Sequence, residues 1–279
     1  MPSQTECPEG QAMHDFARAL FPLPRSLTGE GTRETLRQIQ SHLPGMEIHE
    51  VPSGTRVFDW EVPPEWNVKS ARLIGPDGNV IADFAENNLH LVGYSEPVDR
   101  EIEWEELEPR LYSLPDQPTA IPYITSYYNL HWGFCLADET KRKLGPGTYR
   151  VQIDSELKQG SLSYGEWIWP GELEEEVFLS TYVCHPSMAN NELSGPAVAT
   201  WIGKWLQEQP RRYTYRIVFI PETIGSITYL SRNADEMKRR VGAGFNVSCI
   251  GDDRVYSYLP SRDGKTISDR VAQHVLGWI

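Results

Sequence analysis

CHPSMANNELSG, Cys184 to Gly195, lies between two apolar segments of different period. Before it, EEVFLSTYVCHP (Glu175–Pro186) is an apolar run that reads as a buried strand ending in a loop. After it, GPAVATWIGKWLQEQ (Gly195–Gln209) reads as a helix with Val198, Ile202 and Leu206 on one face. The rhythm then repeats. YTYRIVFIPE (Tyr213–Glu222) is a second buried strand, SITYLSRNADEMKRR (Ser226–Arg240) a helix, VGAGFNVSCIGDD (Val241–Asp253) a third strand ending near Ile250, and SDRVAQHVLGWI (Ser268–Ile279) a further helix. Strands joined by amphipathic helices predict a largely parallel, two-sided sheet.

Upstream the texture differs. Residues 10–43 read as two helical pieces, the first broken by Pro22 and Pro24 and the second with Thr32 as its N-cap. MEIHEVPSG (Met46–Gly54) alternates like a strand. From about Arg56 to Lys158 the short β-prone runs SARLIG, NVIADF and TYRVQID are separated by PDG, PPEW and GPG turns, which predicts a small β-rich module inserted into the α/β domain. The predicted divisions are residues 1–55 for the first part of the α/β domain, 56–158 for the insertion and 159–279 for the α/β continuation. Within the insertion, EIEWEELEPR (Glu101–Arg110) reads as a solvated helix or linker.

Open α/β sheets gather ligands at the carboxyl ends of their strands. Three polar groups fall there: His185, Glu222 and the pair Asp252–Asp253. One imidazole and several carboxylates at a single sheet edge are what metal-assisted hydrolysis requires, the metal polarising a carbonyl and a carboxylate taking a proton. Asp252–Asp253 reads equally as a carboxylate ligand and as an ordinary turn and helix cap. Cys184 and His185 are neighbours on a strand and point to opposite faces, so they do not make a nucleophile–base pair. Tyr127, Tyr128 and Trp132 either line a pocket or pack the aromatic-rich insertion.

Composition narrows the partners. Lys and Arg total 26 against 39 Asp and Glu, a formal charge of −13, which opposes binding to a phosphate backbone. No apolar run approaches the ~20 residues that span a bilayer, and the first residues lack the basic start and apolar stretch of a secretory signal. The four cysteines are far apart, with no CxxC pair. The expectation is a cytoplasmic protein acting on a small molecule, with no nucleic-acid or membrane partner and with homo-oligomerisation open.

CHPSMANNELSGPAVAT and PETIGSITYL resemble the bacterial aminopeptidase-like family with an inserted β domain, a branch of the zinc aminopeptidases. RSLTGEGTRETL, VPSGTRVFDWEVPPEW, NNLHLVGYS, PYITSYYNLHWGFCL and GDDRVYSYLPSR extend the resemblance over nearly the whole chain. It implies a three-layer α/β/α fold of the phosphorylase/hydrolase-like type with a mixed sheet, and zinc as cofactor. It implies His185 as a metal ligand, Glu222 as catalytic base and the amide of a small peptide or acyl-amino compound as substrate. A deacylase acting on a sugar or amino-acid conjugate would use the same residues. Asn191 stands where relatives carry the aspartate that bridges two metals, Glu192 where they carry asparagine, and Thr223 where many carry a glutamate ligand. A neutral amide offsets no metal charge, so an incomplete two-zinc centre is expected. A shift of one residue is expected to point the Glu192 carboxylate elsewhere. The family's closing metal-binding histidine lies downstream of the equivalent of Ile279, and His274 reads as a helix residue, so the chain is expected to be the N-terminal portion of a longer member. The alternative function is a catalytically weak or inactive aminopeptidase-fold binding or scaffold protein linked to polysaccharide biosynthesis.

Overall fold

The structure, a computed structural model, describes residues 7–278. In chain order its principal elements are α1 (Pro8–Leu20), α2 (Glu30–His42), β1 (Glu47–Pro52), β2 (Glu65–Ile74), β3 (Val80–Asp83), β4 (Val98–Glu103), β5 (Thr148–Lys158), β6 (Ser161–Trp169), β7 (Leu173–Tyr182), α3 (Ser194–Glu208), β8 (Tyr213–Ile220), α4 (Ile224–Arg240), β9 (Val241–Asn246) and α5 (Ile267–Leu276). No helix among the described residues is long and apolar enough to cross a membrane.

The central sheet has five strands in the order β1-β6-β8-β7-β9. It is mixed: β1–β6 and β6–β8 are antiparallel, β8–β7 and β7–β9 parallel. The side chains of β8 show why the sheet must be covered twice. Ile217 and Phe219 point to one face and Val218 and Ile220 to the other, all buried. On the first face they meet Phe16 and Leu20 of α1, Leu36 and Ile39 of α2, and Ala197 and Leu206 of α3. On the second they meet Ile224 and Tyr229 of α4 and the apolar side chains of residues 57–153. Each such aliphatic or aromatic side chain contributes about 1.5–3 kcal/mol on burial. The result is a three-layer α/β/α arrangement.

A second sheet, antiparallel and ordered β3-β2-β5-β4, is built from residues 65–158. Its inward residues Ala71, Leu73, Ile102, Val151 and Ile153 join one apolar cluster with Val51, Leu162 and Ile220 of the central sheet. This continuity brings the loops after β4 close to the carboxyl ends of β7 and β8.

Four local expectations are corrected. The sheet is not largely parallel, because β6 (SLSYGEWIW) runs antiparallel between β1 and β8. Residues 101–110 are not one helix or linker: Glu101–Glu103 pair with β5 and bury Ile102, and Trp104–Leu107 make a short α-helical turn that tightens to a 3-10 turn over Glu108–Arg110. Thr32 lies inside α2, whose N-cap is Gly29 at φ +95°, a left-handed conformation that suits glycine; the Thr32 hydroxyl donates instead to the Ser26 carbonyl. The third strand stops at Asn246 rather than near Ile250.

Candidate functional site

β7 and β8 are parallel, with Tyr182 opposite Ile220, so the residues that follow them emerge side by side. His185 follows β7 and Glu222 follows β8. Their side chains meet, with His185 Nε2 3.2 Å from Glu222 Oε2. The Cys184 thiol lies beneath and accepts the Glu222 backbone N–H at 3.2 Å, which ties one strand end to the other. Burial pushes the Cys184 thiol well up, so it stays neutral. Its Sγ lies 4.0 Å from His185 Nε2, which corrects the expectation of opposite faces: the strand ends at Tyr182, and both residues lie in the loop beyond it.

The loop after His185 does not enter α3 directly. It makes one wide helical turn, Ala189–Leu193, before Ser194. Consecutive residues of that turn face opposite ways: Asn191 is exposed and Glu192 is fully buried. The Glu192 carboxylate runs under the histidine, with Oε2 2.8 Å from His185 Nδ1. Its other oxygen, Oε1, is buried without a hydrogen bond and sits 3.6 Å from Arg25 Nε. Arg25 comes from the loop between α1 and α2, and neither it nor Glu192 exposes any side-chain surface. Arg25 Nε donates to the His185 carbonyl at 3.0 Å, and Nη1 donates to the Leu20 carbonyl. Burial pushes the Glu192 carboxyl up, opposed by its hydrogen bond to His185 and by the Arg25 charge. Burial also draws Arg25 down, opposed by the Glu192 charge. Each charge therefore makes the other tolerable in a site that excludes water.

Two aromatic rings wall the imidazole edge-on: Tyr123, from the 122–136 stretch, at 4.9 Å and Tyr182 at 5.1 Å between ring centroids. Burial raises the hydroxyl pKa of both. Tyr127 packs on Tyr94, Tyr128 donates to the Glu61 carbonyl, and Trp132 is buried under Arg110, so Tyr123 is the aromatic of that stretch that touches His185. Backbone strain concentrates here too. Of the five described non-glycine residues with positive φ, Ser187 (+40°), Thr223 (+57°) and Cys249 (+53°) flank this site. Such conformations cost of order 1–3 kcal/mol each and persist where surrounding contacts impose them. Gly195 explains how close α3 comes to the sheet: a Cβ there would lie 2.2 Å from Thr181 Oγ1 and 2.4 Å from the Val247 carbonyl oxygen.

The other acidic residues lie apart from the imidazole. Asp252 is held by Arg254 Nη2 at 3.0 Å and by Asn190 Nδ2 at 3.2 Å, and Arg254 draws its carboxyl down to about 2. Asp253 is exposed. Asn191 Nδ2 points toward Cys249 Sγ at 3.7 Å. The neighbouring Asn190 holds the 249–252 loop by accepting the Gly251 N–H at 2.7 Å. Thr223 caps the start of α4 with no side-chain hydrogen bond. His274 is exposed on α5 against Trp278.

Among the described residues, Cys184, His185 and Glu192 form a cluster whose ligand-type atoms lie within 4.8 Å of one another. Of the three, only the imidazole offers an outward donor, through Nε2. Nε2 can serve as one zinc donor, and the Glu222 carboxylate stands 3.2 Å from it on the open side. The carboxylate on Nδ1 is the usual companion of a metal-binding histidine. A second ion is not matched, because Asn191 is neutral and Asp252 already serves Arg254 and Asn190.

Arg25 and Tyr123 were not singled out from sequence as parts of this site, and Glu192, expected to point elsewhere, turns in under the ring of His185. Arg25 lies 160 residues from His185, and no local spacing announces such a contact. The direction of Glu192 depends on the wide turn, which a 3.6-residue periodicity does not reveal.

Residues 14–278 match the family described as a domain of unknown function, DUF4910. A Clostridium acetobutylicum protein provisionally named polysaccharide biosynthesis protein with aminopeptidase-like domain is 46% identical over 273 residues, covering 98% of this chain and 62% of its own length. A crystal structure from Clostridium acetobutylicum, provisionally a peptidase, superposes with a TM-score of 0.92 at 46% identity, covering 96% of this chain and 63% of the other. The chain thus spans 62–63% of the length of these relatives. A zinc aminopeptidase from Bacillus subtilis shares the fold at a TM-score of 0.65 and 12% identity, covering 97% of this chain and 77% of its own. With the profile matching nearly end to end, the chain belongs to the DUF4910 family, a family of unknown function built on the aminopeptidase fold.

Proposed function

We propose that the chain is a zinc-dependent, aminopeptidase-like hydrolase that cleaves the amide bond of a small peptide or acyl-amino substrate. The observation that carries this reading is the pairing of His185 Nε2 with Glu222 Oε2 at adjacent strand ends, while Nδ1 is held from below by a carboxylate. His185 would supply a zinc ligand through Nε2, with the Glu222 carboxylate beside it as the base. When bound, zinc polarises a substrate carbonyl and makes a water molecule more acidic. Glu222, with 54% of its side chain exposed, takes the water proton and returns it to the departing amine. Tyr123 and Tyr182 keep water from the faces of the imidazole. Asn191 adds a neutral amide on the open side, Asp252 stays on the rim with Arg254 and Asn190, and Asp253 is exposed beside it.

A second reading is an aminopeptidase-fold protein that binds without catalysing and serves polysaccharide biosynthesis. Asn191 in place of an aspartate and the name of the Clostridium relative favour it. Zinc content and turnover separate the two. The 279-residue chain is loaded with zinc, freed of excess and assayed on a panel of aminoacyl and N-acyl amides beside Glu222→Gln. The hydrolase reading predicts bound zinc in both proteins and turnover reduced by about 10²–10⁴ in the variant. No zinc, or equal turnover in both, leaves the binding reading.

A further inference from the structure

We infer that the exposed rings of Phe58, Trp60 and Tyr128 form a sugar-binding platform beside the His185–Glu222 site, so that the substrate is an acyl-amino compound carried on a pyranose ring. The amide end of such a substrate rests on the hydrolase reading; the sugar end is the substrate class which that reading leaves open.

Single exposed apolar side chains are ordinary on a protein surface, whereas adjoining large ones mark a binding surface. Trp60 and Tyr128 come from distant segments, and both are exposed, at 41% and 49%. Their ring centroids stand 5.9 Å apart, and the Tyr128 hydroxyl donates to the Glu61 carbonyl at 2.7 Å, which fixes the pair. Trp60 belongs to the hairpin Arg56–Glu61, whose turn residues are Phe58 and Asp59. Phe58 holds φ +57° and is 61% exposed. Glycine is the usual occupant of such a turn position, and a bulky residue there is strained. Neither stability nor solubility asks for phenylalanine at 58; contact with a ligand does. Both segments are anchored next to the site. Val57 is buried in one cluster with Ile224 of α4, the helix that begins two residues after Glu222. Tyr127 adjoins Tyr128, its hydroxyl lies 3.5 Å from that of Tyr123, and the Tyr123 ring abuts His185. The face of an aromatic ring is electron-rich. A pyranose offers it a side of C–H groups, together with a rim of hydroxyls that need acceptors. Asp59 and Glu61, both exposed on the hairpin, supply those acceptors and disfavour a phosphate or other anion. An apolar peptide side chain would use the rings and not the carboxylates.

Phe58→Gly is the first variant to make, because glycine suits the turn and the fold is kept. Trp60→Ala removes the second ring. The metal-free 279-residue chain and both variants are titrated with N,N′,N″-triacetylchitotriose, a chain of three N-acetylated pyranose rings, and followed by saturation-transfer NMR. N-acetylphenylalanine amide serves as the peptide control. Expected is saturable binding of the trisaccharide by the parent, weakened about tenfold in each variant, with the unfolding midpoint of Phe58→Gly at or above that of the parent. No binding by the parent, or parent-like affinity in both folded variants, overturns the inference. So does a loss confined to the phenylalanine amide, which makes the patch a peptide subsite. Zinc binding and amide turnover are read separately on the same proteins. Their absence beside ring-dependent sugar binding defeats the hydrolase reading and leaves the platform standing; turnover by a parent that binds no sugar does the reverse.

Discussion

His185 has two sides, and they are built on different principles. Below the ring, Glu192 and Arg25 are wholly buried, locked to each other and to backbone from a distant loop. Above it, Glu222 is half exposed, Asn191 faces out, and Asp252 belongs to a loop held by Asn190 and Arg254. The lower side is fixed before any ligand arrives; the upper side keeps its groups available. Substitutions below should therefore change folding first, and substitutions above should change chemistry first.

Glu222→Gln gives the largest predicted change and the sharpest separation. Turnover falls by about 10²–10⁴, whereas urea unfolding shifts by no more than about 0.5 kcal/mol. A comparable loss of stability would erase the distinction between the sides. Below the ring, Glu192→Ala strands the Arg25 charge in an apolar layer and costs about 3–5 kcal/mol in denaturant unfolding. Unfolding at the parent midpoint would mean that water reaches Arg25. Asn191→Asp adds a carboxylate on the open side, so calorimetry should find zinc affinity increased on the order of tenfold with stability nearly unchanged. An unchanged affinity would remove position 191 from the site.

The smallest effect comes from a pair remote from His185, and it calibrates the others. Arg33 donates to Glu65 at 2.6 Å, and this bond is the main cause that draws the Glu65 carboxyl down to about 2 from 4.5. A depressed carboxyl stabilises the fold above the unfolded value, and that contribution disappears as pH falls through the folded value. Glu65→Gln should cost about 1 kcal/mol at pH 6, reduced by solvent screening, and the gap should close as pH falls from about 4.5 toward about 2. A gap that persists at pH 2 would assign the loss to packing.

Much of this architecture is legible in the residues, and the reasons are local. Apolar runs such as RIVFI and the 3.6-residue stripe of α3 specify strand and helix from within a few residues. The same reasoning places His185 and Glu222 at strand ends. It does not yield β6, whose alternation of polar and apolar residues carries no mark of the antiparallel neighbours that flank it. Nor does it place Asp252, because Asn246 ends β9 and five residues of loop intervene. The buried clamp is the hardest part to read: Arg25 meets Glu192 only after α1, the sheet and the wide turn have all formed.

The role proposed for His185 is to present Nε2 to zinc. Isothermal titration of the metal-free 279-residue chain and of His185→Ala with zinc tests it most directly. One saturable site per chain is expected in the parent and is lost in the variant, with circular dichroism unchanged. No zinc binding by the parent, or equal affinity in His185→Ala, contradicts it.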